Sequence, residues 1–149
     1  MNLASYYITD NDEVIIDSSR TRLCTWAENI NEPNHIENAL EELKSIITSA
    51  SFNRSFPITL DLEGNYLEDD GVCRVCEFIQ GHKILKDNLK VIDISNNRFT
   101  AKSLECIQIL LKVCDLTLLN LSLNYLSEKD VRERFGEAYF SGIVKYTAF

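Results

Sequence analysis

The sequence predicts an α/β fold, a short solenoid of strand–turn–helix units with parallel strands on the concave face and helices on the convex face. Two observations predict it. One pattern of apolar residues with a late asparagine occurs three times, at intervals long enough for a strand and a helix. Each occurrence is followed by apolar residues at helical spacing.

The first segment runs Pro57-Ile58-Thr59-Leu60-Asp61-Leu62-Glu63-Gly64-Asn65-Tyr66-Leu67. The second is Leu89-Lys90-Val91-Ile92-Asp93-Ile94-Ser95-Asn96-Asn97-Arg98-Phe99. The third is Leu116-Thr117-Leu118-Leu119-Asn120-Leu121-Ser122-Leu123-Asn124-Tyr125-Leu126. All three fit L-x-x-L-x-L-x-x-N-x-L, and only Pro57 breaks an apolar position. The asparagines are 32 and 27 residues apart. The fourth and sixth positions alternate along a short strand, so both face the core. The asparagine follows, where the chain leaves the strand and its backbone polar groups need new partners. Asn65, Asn97 and Asn124 are therefore expected to form a structural ladder.

A helix is expected behind each strand. One carries Val72, Val75, Cys76 and Ile79 after Asp69-Asp70-Gly71. The next carries Leu104, Ile107, Leu110 and Leu111 after Thr100, and the last carries Val131 and Phe135 after Ser127. Asp, Thr and Ser suit the N-cap. An earlier helix begins at Asn34, with Glu37 three residues on as a capping-box-like partner and Ile36, Leu40, Leu43 and Ile47 on one stripe.

On these motifs, residues 57–126 resemble the leucine-rich-repeat family in its ribonuclease-inhibitor-like subtype. Leu67-x-x-x-Gly71 followed by Val75-Cys76 resembles the start of that subtype's helix. The resemblance covers about half of the chain. It implies a partner protein held on the concave strand face. The positions pointing away from the core form rows: Thr59, Val91 and Leu118; then Asp61, Asp93 and Asn120; then Glu63, Ser95 and Ser122. Tyr66, Arg98 and Tyr125 lie at the loop edge. These twelve residues are the candidate partner-binding set. The centre is acidic, which suits a basic patch or helix, and Tyr and Arg are residue types that anchor interfaces. The plainer reading is that such aspartates are solvated strand residues. Leu118 and Leu123 either contact a partner or lie under the C-terminal tail.

The chain reads as one domain over 1–149. Residues 1–56 form an N-terminal cap or degenerate repeat, 57–126 the repeats, and 127–149 a C-terminal cap. Val14-Ile15-Ile16 reads as a degenerate first strand and residues 18–33 as a turn region. Tyr139, Phe140, Ile143, Val144, Tyr146 and Phe149 read as an aromatic tail over the last repeat. Terminal repeats are atypical because they cover an otherwise exposed core.

Composition excludes several classes. The chain has 149 residues, enough for one continuous core, and its 45% hydrophobic and 26% charged fractions are those of a soluble domain. No run is long enough to span a bilayer, and no secretory signal is visible. Five cysteines, an odd number, favour reduced thiols and a cytoplasmic setting. A net charge of −8 disfavours nucleic acid and anionic membranes. Residues 1–71 carry −10 and residues 72–149 carry +2.

Chemistry is sparse. Cys73-x-x-Cys76 has the spacing of a zinc half-site, but no second pair at suitable spacing completes it, and packed thiols are expected instead. Neither His35 nor His82 completes a nucleophile–base pair. No glycine-rich phosphate loop is present. Asp69-Asp70 suits the positive end of a helix. No metal, no cofactor and no enzymatic activity are expected. The reading is a non-enzymatic binding module: a scaffold, adaptor or inhibitor, monomeric or weakly dimeric. Its alternative is a structural protein that self-assembles through its terminal repeat or the 139–149 tail. With 13 Asn and 15 Ile, the chain also resembles small effector-like repeat proteins that intracellular bacteria deliver into a host cytosol.

Overall fold

The computed structural model describes residues 5–8, 14–17, 35–49 and 56–148. Six strands form one sheet in chain order: β1 (Ser5–Ile8), β2 (Val14–Asp17), β3 (Ile58–Asp61), β4 (Leu89–Asp93), β5 (Leu118–Asn120) and β6 (Val144–Lys145). β1 runs antiparallel to β2, and β2 through β6 are parallel. Parallel neighbours need a crossover, and helices provide each one. These are α1 (His35–Thr48), α2 (Glu68–Gln80), α3 (Lys83–Asn88), α4 (Leu104–Val113), α5 (Glu128–Phe135) and α6 (Glu137–Phe140).

The core lies between sheet and helices. Leu60, Leu62, Ile92, Ile94, Leu119 and Leu121 are buried along the strand segments. They meet Val72, Val75, Cys76 and Ile79 of α2, Leu104, Ile107 and Leu110 of α4, and Val131 and Phe135 of α5. Ile36, Leu40, Leu43 and Ile47 bury one stripe of α1. Each of these sets follows the apolar period expected of its element. The Val14–Ile16 strand is present as β2, with Ile16 buried and opposite Leu60. Asn34 and the 18–33 turn region lie outside the described residues.

The asparagine ladder is present in full hydrogen-bonding detail. Asn97 Oδ1 accepts from the N–H of Asn65 at 2.8 Å and of Leu67 at 3.3 Å, while its Nδ2 donates to the carbonyls of Leu62 and Ser95, each at 3.0 Å. Asn124 repeats this one unit on. It accepts from Asn97 N at 2.7 Å and Phe99 N at 3.4 Å, and donates to the carbonyls of Ile94, Leu121 and Ser122. Asn65 donates to the carbonyls of Leu62 and Glu63. All three side chains are buried.

Four features differ from the sequence expectations, each for a physical reason. The uneven 32 and 27 spacing arises because α3 is inserted between α2 and β4, with a register shift opposite Ile58 and Thr59. The expected caps at Thr100 and Ser127 form, accepting from Lys102 N and Asp130 N, but α2 has no side-chain cap. Asp69 instead reaches across to the next unit, where it accepts from Thr100 N and Thr100 Oγ1 at 2.8 Å and from Ser103 Oγ at 2.6 Å. In the tail, Val144 is buried and β6 extends the sheet, whereas Phe140 is 72% exposed, its ring edge-on to Tyr139. Phe149 lies outside the described residues. Lastly, Cys73 is disulfide-bonded to Cys106, joining α2 to α4, so the expectation of reduced thiols fails for this pair. Cys76 and Cys114 are free and buried.

Two substitutions test the frame. Asn97→Ala orphans the buried N–H groups of Asn65 and Leu67, at about 1–3 kcal/mol each. Urea denaturation is expected to show a loss of roughly 3 kcal/mol, with circular dichroism confirming the fold; a loss below about 1 kcal/mol would refute the ladder's structural weight. At Gly71, a Cβ would stand 3.0 Å from both Ile36 Cδ1 and Leu67 Cβ. Alanine gains about 1 kcal/mol of helix propensity, yet overpacking costs about 1–3 kcal/mol. Gly71→Ala is expected to lower the melting temperature, and a rise would mean that α1 does not sit this close to α2.

Candidate protein-binding face

Strand pairing brings the sequence-derived rows together. Thr59, Val91 and Leu118 are successive Cα partners, as are Asp61, Asp93 and Asn120. β2 extends both rows at Ile15 and Asp17, and β6 places Lys145 beside Asn120. The side chains of all six residues in the two rows are half-buried, alternating with the fully buried Leu60, Ile92 and Leu119. This alternation is what a strand with one covered face requires.

The aspartate row also has a local structural task. Asp61 Oδ1 accepts from Glu63 N at 3.1 Å, Asp93 Oδ1 from Ser95 N at 2.9 Å, and Asn120 Oδ1 from Ser122 N at 3.1 Å. Each is an Asx turn, which satisfies the second N–H beyond the strand, the first being bonded to a carbonyl of the next strand. Neighbouring units are stitched as well, because Asn120 Nδ2 donates to Asp93 Oδ2 at 3.4 Å. Asn120 shows that the turn needs the side-chain oxygen and not the charge.

The third row differs from expectation. Glu63 is half-buried, but Ser95 and Ser122 are buried rather than facing outward. Ser95 Oγ donates to Asp93 at 2.6 Å, and Ser122 Oγ accepts from Thr147 N at 2.9 Å. Both hydroxyls are drawn in by these bonds as the chain turns off the sheet. The two readings of Leu118 and Leu123 divide: the tail pairs with the backbone here, through Leu123 N and Thr147 O at 2.9 Å, yet the Leu123 side chain stays 37% exposed.

At the loop edge, Tyr66 is half-buried while Arg98 and Tyr125 are exposed. The Arg98 guanidinium lies 4.0 Å above the Tyr66 ring, a cation–π stack between neighbouring units. Tyr66, Glu68 and Arg98 adopt left-handed backbone. Together with Tyr125, Ile36, Leu67, Asp69, Asp70 and Thr100 they line a cavity of about 520 Å³. The sequence reading identified the edge residues but not this cavity, whose Ile36 wall comes from a helix outside the repeat motifs.

The groups that carry reactive chemistry elsewhere are tied up. Burial pushes the Cys76 thiol up to about 12 and also raises that of Cys114. His82 Nδ1 donates to the Phe78 carbonyl at 2.7 Å, with the two rings stacked. The His35 side chain lies outside the described residues. Among the described residues no cluster of three or more His, Cys, Asp or Glu could hold a metal, and no helix is long and apolar enough to cross a membrane.

Residues 88–110 match the family described as Leucine Rich Repeat. The chain carries a leucine-rich repeat. The matched stretch spans β4, the Asn97 turn and the start of α4 through Leu110. No curated protein and no solved structure matches the chain.

The Asp69 cross-link yields a pH test. Burial pushes its carboxyl up, but the Ser103 hydroxyl and the Thr100 N–H and hydroxyl outweigh this and hold its pKa below the ordinary value. A depressed pKa contributes stability that is present above the ordinary aspartate value of about 3.9 and lost as pH falls through the folded-state value. Melting temperature followed from neutral pH to about pH 2 should therefore fall less steeply at the acid end in Asp69→Asn than in wild type. Parallel acid limbs would show that Asp69 is not held this way.

Proposed function

We propose that the protein is a non-enzymatic binding module that holds another protein on the open face of its sheet. The observation that carries the reading is the strand register. It sets the half-exposed Thr59, Val91 and Leu118 beside Asp61, Asp93 and Asn120, with Tyr66, Arg98 and Tyr125 at the edge. Leucine-rich repeats are generally protein-interaction modules, and the repeat at 88–110 supports the reading. So do the three asparagine turns, which extend the repeated unit over 57–126 as in the ribonuclease-inhibitor-like subtype, giving a short solenoid. A flat row of apolar and acidic side chains on a rigid sheet needs little reordering to bind, which keeps the entropic cost of association low.

The partner surface is basic on this reading. Asp61, Asp93 and half-buried Glu63 carry like charge on one side of the sheet, and Asp61 and Glu63 belong to the first 71 residues, whose balance is −10. Complementary charge raises association rates and selects partners more than it adds affinity. The rival reading, self-assembly through the tail, has less support. Tyr146 donates to the Leu126 carbonyl, Tyr139 donates to Glu128 at 2.8 Å, and β6 pairs with β5, so much of 139–149 is already engaged within the chain.

The test is affinity capture from cell lysate read by mass spectrometry, with three proteins side by side: wild type, Asp61→Asn/Asp93→Asn and Asp61→Arg/Asp93→Arg. The Asn pair keeps the turn oxygen, as Asn120 does, and removes only charge. A partner held by wild type, weakened about tenfold or more by the Asn pair and lost by the Arg pair is the expected result. A partner retained equally by all three would overturn the acidic-face reading.

A further inference from the structure

Tyr66, Arg98 and Tyr125 occupy equivalent places, each one residue past a buried asparagine of the ladder. Behind them lies the cavity of about 520 Å³, within the size range of small-ligand sites. Its apolar wall is Ile36 of α1 and Leu67 of the first repeat. Its mouth carries Glu68 and Asp70, both exposed. Asp69 also lines it, but that carboxylate is already used by Thr100 and Ser103. Arg98 lies against Tyr66, and among the described residues no carboxylate forms an ion pair with it. Tyr125 leaves 57% of its surface exposed at the same opening.

We propose that this cavity receives a single basic side chain, lysine or arginine, from the partner protein that docks on the adjacent strand face. The proposal rests on the protein-binding reading and adds the chemistry of the anchoring residue. Two features of the cavity suit such a side chain. The apolar wall matches an alkyl stem, which long basic side chains bury readily while the charged head stays near water. Among the described residues Glu68 and Asp70 outnumber Arg98 at the mouth, which favours an incoming cation over an incoming carboxylate. Arg98 opposes the cation, and the sign of its effect is therefore diagnostic.

The test is an amide NMR titration of the ¹⁵N-labelled full chain at fixed ionic strength. The probes are two blocked tripeptides, acetyl-Gly-Arg-Gly-amide and acetyl-Gly-Glu-Gly-amide. The arginine peptide is expected to give saturable shifts at Leu67, Asp70 and Thr100, and the glutamate peptide none. In Glu68→Gln/Asp70→Asn, affinity for the arginine peptide should fall about tenfold. In Arg98→Ala it should hold or rise by a few-fold. Equal response to both peptides, no saturable shift, or binding unchanged in Glu68→Gln/Asp70→Asn would each overturn the proposal. The strand-face reading fails separately. Peptide bound at the cavity while Asp61→Arg/Asp93→Arg keeps its partner would overturn that reading and leave the cavity standing. A failed titration beside a partner lost with Asp61→Arg/Asp93→Arg would do the reverse.

Discussion

A parallel sheet built one short strand at a time has a recurrent difficulty: at the end of every strand the chain must turn away into a helix, taking unsatisfied N–H and C=O groups into a core that has no water for them. Buried amides without partners cost about 1–3 kcal/mol each, more than a strand of three to five residues readily recovers. Asn65, Asn97 and Asn124 solve this by lending side-chain amides to the departing backbone. Asn97 serves Leu62, Asn65 and Leu67 of the preceding unit and Ser95 of its own. The bond that ends one strand thus also fixes its neighbour. Register follows from that coupling, and the alignment of the outward rows follows from register.

The two side-chain ladders divide the labour. The asparagines are buried and serve the inside of the turn. Asp61, Asp93 and Asn120, half-buried, satisfy the outer N–H two residues ahead. Between them they let the chain leave the sheet within a few residues, and the helices can start with ordinary or no side-chain caps. The left-handed residues Tyr66, Asn96 and Arg98 lie in the same turns. Such backbone costs about 1 kcal/mol or more for a residue with a Cβ, and a turn held from both sides can sustain it.

The repeat interior was legible in the sequence because two periods overlap there. Alternation marks Leu60 and Leu62 as core, and 3.6-residue spacing marks Val72, Val75 and Ile79. The asparagines stand out because no propensity for strand or helix explains them. What stayed hidden was contact between units. Cys73 and Cys106 are 33 residues apart, one residue off the 32-residue repeat between Asn65 and Asn97, so stacked helices bring them together although neither local spacing suggests a bond. Asp69 looks from the sequence like a carboxylate at a helix start, yet its acceptors are filled by Thr100 and Ser103 of the next unit. The β1 strand and α3 lie where the pattern is too short or too mixed for either period to register.

Of the candidate binding residues, those that proved buried are the serines, and the reason bears on how function and architecture coexist on one surface. A small hydroxyl just beyond a strand is drawn to the nearest satisfied turn, as Ser95 is to Asp93. An aspartate at the strand end needs only one oxygen for that turn. The turn does not need its charge, as Asn120 demonstrates within the same row. Charge that the turn does not require recurs at Asp61 and Asp93 on aligned strands. Exchanging Asp for Asn therefore separates what the sheet needs from what a partner would feel.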